Sequence, residues 1–165
     1  MRPKQWMKNV LIFTALVFDE KLLDLQAFLV TFAGFILFSL VSSTVYLLND
    51  ITDVEADRQH PKKKNRPIAS GVLKVSTARW AVISLLLIII PLAYLLSPGF
   101  CLILLLYLVL NLSYSRWLKH IVIIDVFVLA SFYVIRVVAG LTLFEVSRFS
   151  PWLYVVTTLL ALYIG

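Results

Sequence analysis

A single cysteine, Cys101, lies inside an apolar run of this 165-residue chain. It has no partner for an internal disulfide, so it implies no oxidising compartment and reads as a packing residue. The two histidines, His60 and His120, show no metal-ligand spacing. GxGxxG, Walker, GxSxG and paired CxxC patterns are all absent, which removes the usual signatures of dinucleotide, P-loop, serine-hydrolase and thiolate-metal chemistry. Charge is scarce too. Charged residues make up 15% of the chain and apolar residues 61%, with a mean hydropathy of +0.95. A soluble domain is about a quarter charged. This chain cannot cover its apolar content with polar surface, so it reads as an all-α, polytopic transmembrane helix bundle.

The net charge of +6 would suggest nucleic acid in a soluble protein. In a membrane protein it reflects loops that face anionic lipid, and no nucleic-acid partner is expected. The first eighteen residues have the basic-then-apolar shape of a signal peptide. Asp19, Glu20 and Lys21 follow directly where a small-residue cleavage site would be needed, so they read as a retained membrane helix.

Six apolar segments can be marked, at 6–18, 27–48, 80–97, 100–115, 121–143 and 151–165. The first is short for a core about 30 Å thick. Pro91 inside the third predicts a kink rather than a break. With the N-terminus inside, Arg2, Lys4, Lys8, Arg58, Lys62, Lys63, Lys64, Arg66, Lys74, Arg79, Arg116 and Lys119 fall on the inner side, against only Lys21 and Arg148 outside. That bias places the N-terminus and the segment after residue 48 in the cytoplasm. The expected setting is the plasma membrane of a prokaryote.

That segment, YLLNDITDVEADRQHPKKKNRPIASG at 46–71, carries the densest chemistry. On a continuous helix Asp50, Asp53 and Asp57 fall within about 60° of one another, and Asn49 widens the arc to about 100°. Like charges on one face repel and need neutralising. A hard divalent cation is the first candidate, since magnesium takes one or two carboxylates and fills its shell with phosphate oxygens. The simpler reading is a polar helix end at the headgroup layer. Lys62, Lys64 and Arg66 can offer charge to the same phosphates, Arg66 as a bidentate fork. Pro61 and Pro67 stiffen this loop, and Ser70-Gly71 are candidate backbone donors.

Asp125 and Arg136 lie within the fifth segment, where charge is costly and needs a partner or a function. Eleven residues apart, they share a helix face but sit about 16 Å apart along it, too far to pair directly. Tyr114 and Lys119 mark the end of the fourth segment, where belt and snorkelling roles compete with substrate binding.

An N-x-x-x-D-x-x-x-D pattern at 49–57 resembles the first aspartate-rich motif of the UbiA superfamily of intramembrane prenyltransferases. RPKQWMKN at 2–9, VYLLND at 45–50, HPKKKNRPIASG at 60–71, YSRWLKH at 114–120 and YVIRVVAG at 133–140 resemble its decaprenyl-phosphate phosphoribosyltransferase branch. The resemblance implies about nine transmembrane helices around a central cavity, so the chain is expected to form a single membrane domain and to be its amino-terminal part. It implies Mg²⁺ and 5-phosphoribosyl 1-diphosphate at the aspartates, with a polyprenyl phosphate entering from the lipid. Asn49, Asp50, Asp53 and Asp57 would map onto the metal and diphosphate site; Lys62, Lys64 and Arg66 would bind phosphate. A later polar motif of the family is missing from the chain, which suggests completion by a C-terminal half or a homo-oligomer. Tyr114 and Lys119 are five apart where aromatic-substrate branches have four. Two alternatives stay open: prenyl transfer from a prenyl diphosphate to an aromatic or other acceptor, and a non-catalytic membrane subunit.

Overall fold

The computed structural model describes residues 3–118, 122–145 and 151–164. All regular elements among them are helical. A 3₁₀ stretch, Pro3–Phe13, leads into α1 (Thr14–Phe18); there follow α2 (Leu25–Thr52), α3 (Val54–Gln59), α4 (Val75–Leu96), α5 (Pro98–Arg116), α6 (Val122–Leu141) and α7 (Pro151–Ile164). Each of the six apolar segments becomes a helix. Four, in α2, α4, α5 and α6, are long and apolar enough to cross a membrane.

The amino-terminal segment is lengthened by its winding. A 3₁₀ helix rises about 2.0 Å per residue against about 1.5 Å for an α-helix, so Trp6 to Phe18 spans roughly 24 Å instead of about 20 Å. That narrows the gap to a core about 30 Å thick without closing it.

The helix α2 is the spine. Asp24 caps it, accepting from the N–H groups of Gln26 (2.9 Å) and Ala27 (3.1 Å). Half of its most apolar stretch is buried, against 17% for α4 and 22% for α5, so α2 lies inside and α4 and α5 leave most of their apolar surface uncovered. Small residues, including Gly34, Ser39, Ser42 and Ser43, crowd its buried face. Without a hydrophobic drive in lipid, helices associate by such close approach and by interhelical hydrogen bonds. Neighbours close a ring: α2 packs on α4, α4 on α5, α5 on α6, and α6 on the amino-terminal segment, which returns to α2; α7 rests on α6. Gly140 of α6 lies so near the backbone of Ile12 that a β-carbon there would sit 2.1 Å from its carbonyl oxygen.

Ser97 makes the turn into α5, accepting from the Phe100 N–H (3.3 Å) and donating to the Thr142 carbonyl (2.6 Å). Pro91 leaves α4 unbroken. At about 42 Å, α2 outruns the hydrocarbon core. It continues past residue 48 through Thr52, so Asn49 and Asp50 project on a helix at the membrane surface.

Candidate functional site

The aspartates do not lie on one continuous helix. Asp53 (φ −94°, ψ 11°) ends α2, and α3 restarts at Val54. The backbone stays nearly helical, with the Asp53 N–H bonded to the Asn49 carbonyl (2.9 Å) and the Asp57 N–H to the Asp53 carbonyl (2.8 Å). Asp50 and Asp57 still converge. Their common partner is Arg66, whose Nη1 donates to Asp57 Oδ2 (2.6 Å) and Asp50 Oδ1 (3.1 Å). Asp57 is buried, Asp50 and Asp53 half-buried. Arg66, from the following loop, thus bridges two of the three carboxylates of the arc.

That loop is folded on itself. The Arg58 Nε–H donates to the Ala69 carbonyl (3.3 Å), and Ile68 and Ala69 are buried. His60 Nδ1 accepts from the Lys62 N–H (3.2 Å). The expected backbone donors are already spent: the Ser70 N–H bonds to the Arg66 carbonyl and the Gly71 N–H to that of Ile68. Gly71 instead supplies a left-handed turn at φ +82°. Lys62 and Lys64 are exposed, flanking Arg66. Among the described residues no three His, Cys, Asp or Glu side chains form a ready cation cage. Two converging carboxylates fit magnesium all the same, because that ion is held by one or two carboxylates plus substrate phosphates.

Beside this cluster, inside the ring of helices, lies a cavity of about 380 Å³ lined by Lys8, Asn49, Tyr107, Asn111, Tyr114 and Arg136, among others. Asn49 lines the cavity and adjoins Asp50, so it links the two places. Tyr114 donates to Asp125 Oδ1 (2.7 Å). Arg136 is buried; its Nε donates to Asn9 Oδ1 (2.8 Å), Nη2 to the Tyr107 hydroxyl (3.4 Å) and Nη1 to the Phe132 carbonyl. Asp125 and Arg136 therefore take separate partners. Lys119 falls outside the described residues.

Two residues of this site were not singled out as candidates from the sequence. Asn9 is fully buried and joins α2 to α6, donating to Ser39 Oγ (3.0 Å) while accepting from Arg136. Its signal was its place at the end of the RPKQWMKN segment, next to Lys8. Tyr107 gave none; it packs 4.7 Å from the Phe38 ring centre and shares its hydroxyl with Ser42 (3.2 Å).

Residues 10–165 match the UbiA prenyltransferase family. The uncharacterized protein y4nM of Sinorhizobium fredii is 40% identical over 93% of this chain and 30% of its own length. The decaprenyl-phosphate phosphoribosyltransferase of Mycobacterium tuberculosis is 38% identical over 85% of this chain and 48% of its own. The Corynebacterium glutamicum protein of that name is 37% identical, over 85% and 43%. The chain thus spans about half the length, or less, of these relatives.

Proposed function

The chain belongs to the UbiA prenyltransferase family, and on that premise we propose that it serves transfer of 5-phosphoribosyl from 5-phosphoribosyl 1-diphosphate to a polyprenyl phosphate. The observation that carries this reading is the Asp50–Arg66–Asp57 cluster, beside a cavity that Asn49 also lines. The names of the mycobacterial and corynebacterial relatives support the choice of donor and acceptor.

Asp50, Asp53, Asp57 and Asn49 are oxygen donors suited to hold Mg²⁺ against the donor's diphosphate. The ion, when bound, supplies the positive charge that stabilises the departing diphosphate. Arg66, released from the carboxylates, can turn its fork to phosphate oxygens, with Lys62 and Lys64 beside it. An oxygen of the lipid phosphate bonds to C1 of the ribosyl group as the C1–O bond to diphosphate breaks, the electron pair leaving with diphosphate. No side-chain nucleophile is needed, because the acceptor phosphate is already anionic. Tyr114 and Asp125, bonded to each other, brace the cavity wall. In this reading the aspartates face the cytoplasm, where both magnesium and the donor are found.

The test uses membranes carrying the chain together with C-terminal helices that complete the bundle, a polyprenyl phosphate and labelled 5-phosphoribosyl 1-diphosphate. Lipid-extractable label that needs magnesium supports the proposal. Transfer from a prenyl diphosphate to an aromatic acceptor instead would select the other chemistry of the family.

A further inference from the structure

No acidic residue occurs between Asp57 and Asp125, so the loop from α3 to α4 and the first turns of α4 carry cations alone. Arg58 pairs with Glu55, and Arg66 with Asp50 and Asp57. The other five, Lys62, Lys63, Lys64, Lys74 and Arg79, are exposed and form no ion pair among the described residues. Lys62 and Lys64 flank Arg66 at the donor site; Lys63, Lys74 and Arg79 have no role there. Two large apolar side chains stand bare beside them, Val72 at 86% exposure and Trp80 at 71%. The fold itself presents Val72. Gly71 turns at φ +82° just before it, and just after it the Leu73 N–H bonds back to the Pro67 carbonyl (2.8 Å).

Trp80 runs on into the bare apolar face of α4 through Ile83 and Leu87, three and seven residues further along. Tryptophan at the end of a membrane helix marks the interface. It lies about 7.5 Å along the axis from Val75, where α4 begins. One headgroup layer is about 5–7.5 Å thick, so Lys74 and Arg79 stand at headgroup height. Val72 is at most about 11 Å from Val75. Cations interleaved with bare apolar groups suit a surface that is anionic outside and apolar just beneath. A soluble acidic partner would answer the charges but leave Trp80, continuous with the apolar helix face, unmatched.

We propose that Lys63, Lys74 and Arg79, with Val72 and Trp80, form a docking surface for anionic phospholipid headgroups, so that the loop between α3 and α4 rests on the leaflet. The surface is independent of the chemistry the bundle performs. The same loop presents Arg66 to Asp50 and Asp57, so its seating is set from the lipid side as well as by those ion pairs.

The experiment places a bimane fluorophore at Val72→Cys, native Cys101 being buried, in the chain reconstituted into nanodiscs. The lipid is phosphatidylcholine with or without phosphatidylglycerol, and a spin label on the headgroups quenches the dye when the loop is seated. Phosphatidylglycerol should raise quenching roughly twofold or more. Salt at about 1 M, where charge acts over only about 3 Å, should reverse the rise. The triple variant Lys63→Gln, Lys74→Gln, Arg79→Gln should quench no more with phosphatidylglycerol than the parent does without it. Equal quenching of the parent in both lipids, or a rise that the triple variant keeps, would overturn the surface. A dye indifferent to phosphatidylglycerol that shifts instead on adding polyglutamate would assign the loop to an acidic protein partner and overturn it as well.

Discussion

Arg66 is placed to compete with a metal ion for Asp50 and Asp57, since one nitrogen bonds both carboxylates. Asp57 is buried, and removing one partner of a buried ion pair is costly because the other charge remains. Arg66→Gln should therefore raise the affinity of the donor-free protein for Mn²⁺ roughly tenfold, about 1.4 kcal/mol, while weakening its binding of the diphosphate donor. Electron paramagnetic resonance of free Mn²⁺ reads the first effect directly. Unchanged or weaker Mn²⁺ binding would show that the arginine does not stand in for the ion. At Tyr114 the hydroxyl bond to Asp125 is a charge-assisted one, so Tyr114→Phe should lower stability by about 1.5–3 kcal/mol. A thermal melt in detergent that matches the parent would show the bond to be dispensable. The sequence exposed the aspartate arc and the basic run, because local spacing reveals both. It did not reveal that Arg66 closes on the acids, since spacing along a chain is silent about how a loop folds back.

Among the elements, the amino-terminal segment and α6 meet at the tightest point of the bundle. A methyl group at Gly140 would press on the Ile12 carbonyl, a backbone atom that cannot rotate away. At Gly34 the atom met first, at 2.5 Å, is the Leu143 Cδ1 end of a flexible side chain. Gly140→Ala should thus destabilise by about 1–3 kcal/mol and Gly34→Ala by less. Equal thermal shifts for the two would contradict this packing. The apolar runs told where helices form but not which faces meet. Asn9 and Arg136 lie 127 residues apart, and no periodicity in one chain pairs them. The 3₁₀ winding of Pro3–Phe13 was equally illegible, because an apolar run of this length reads as an ordinary short helix.

For the whole molecule, six apolar helical segments and the strong inner bias of lysine and arginine define an orientation that a labelling experiment can check. A cysteine at Ser76, exposed at the start of α4, should react with an impermeant thiol reagent only from the cytoplasmic side. One at Leu23, 97% exposed between α1 and α2, should react only from outside. Native Cys101 is buried and should add little background. Reversed labelling would mean that the amino-terminal segment does not cross. Polar groups line the cavity and the end of α2, while large apolar side chains such as Leu87, Leu95 and Leu102 face outward. That distribution suits a water-soluble donor entering from one membrane face and a lipid acceptor entering from the side. In the proposed function the aspartates at the end of α2 hold a magnesium–diphosphate donor. The most direct test is equilibrium binding of labelled 5-phosphoribosyl 1-diphosphate to membranes carrying the parent chain or Asp50→Asn, Asp53→Asn or Asp57→Asn. Binding should be saturable, require magnesium and weaken at least tenfold, about 1.4 kcal/mol, in each variant. Binding that is indifferent to magnesium, or unchanged in all three variants, would contradict it.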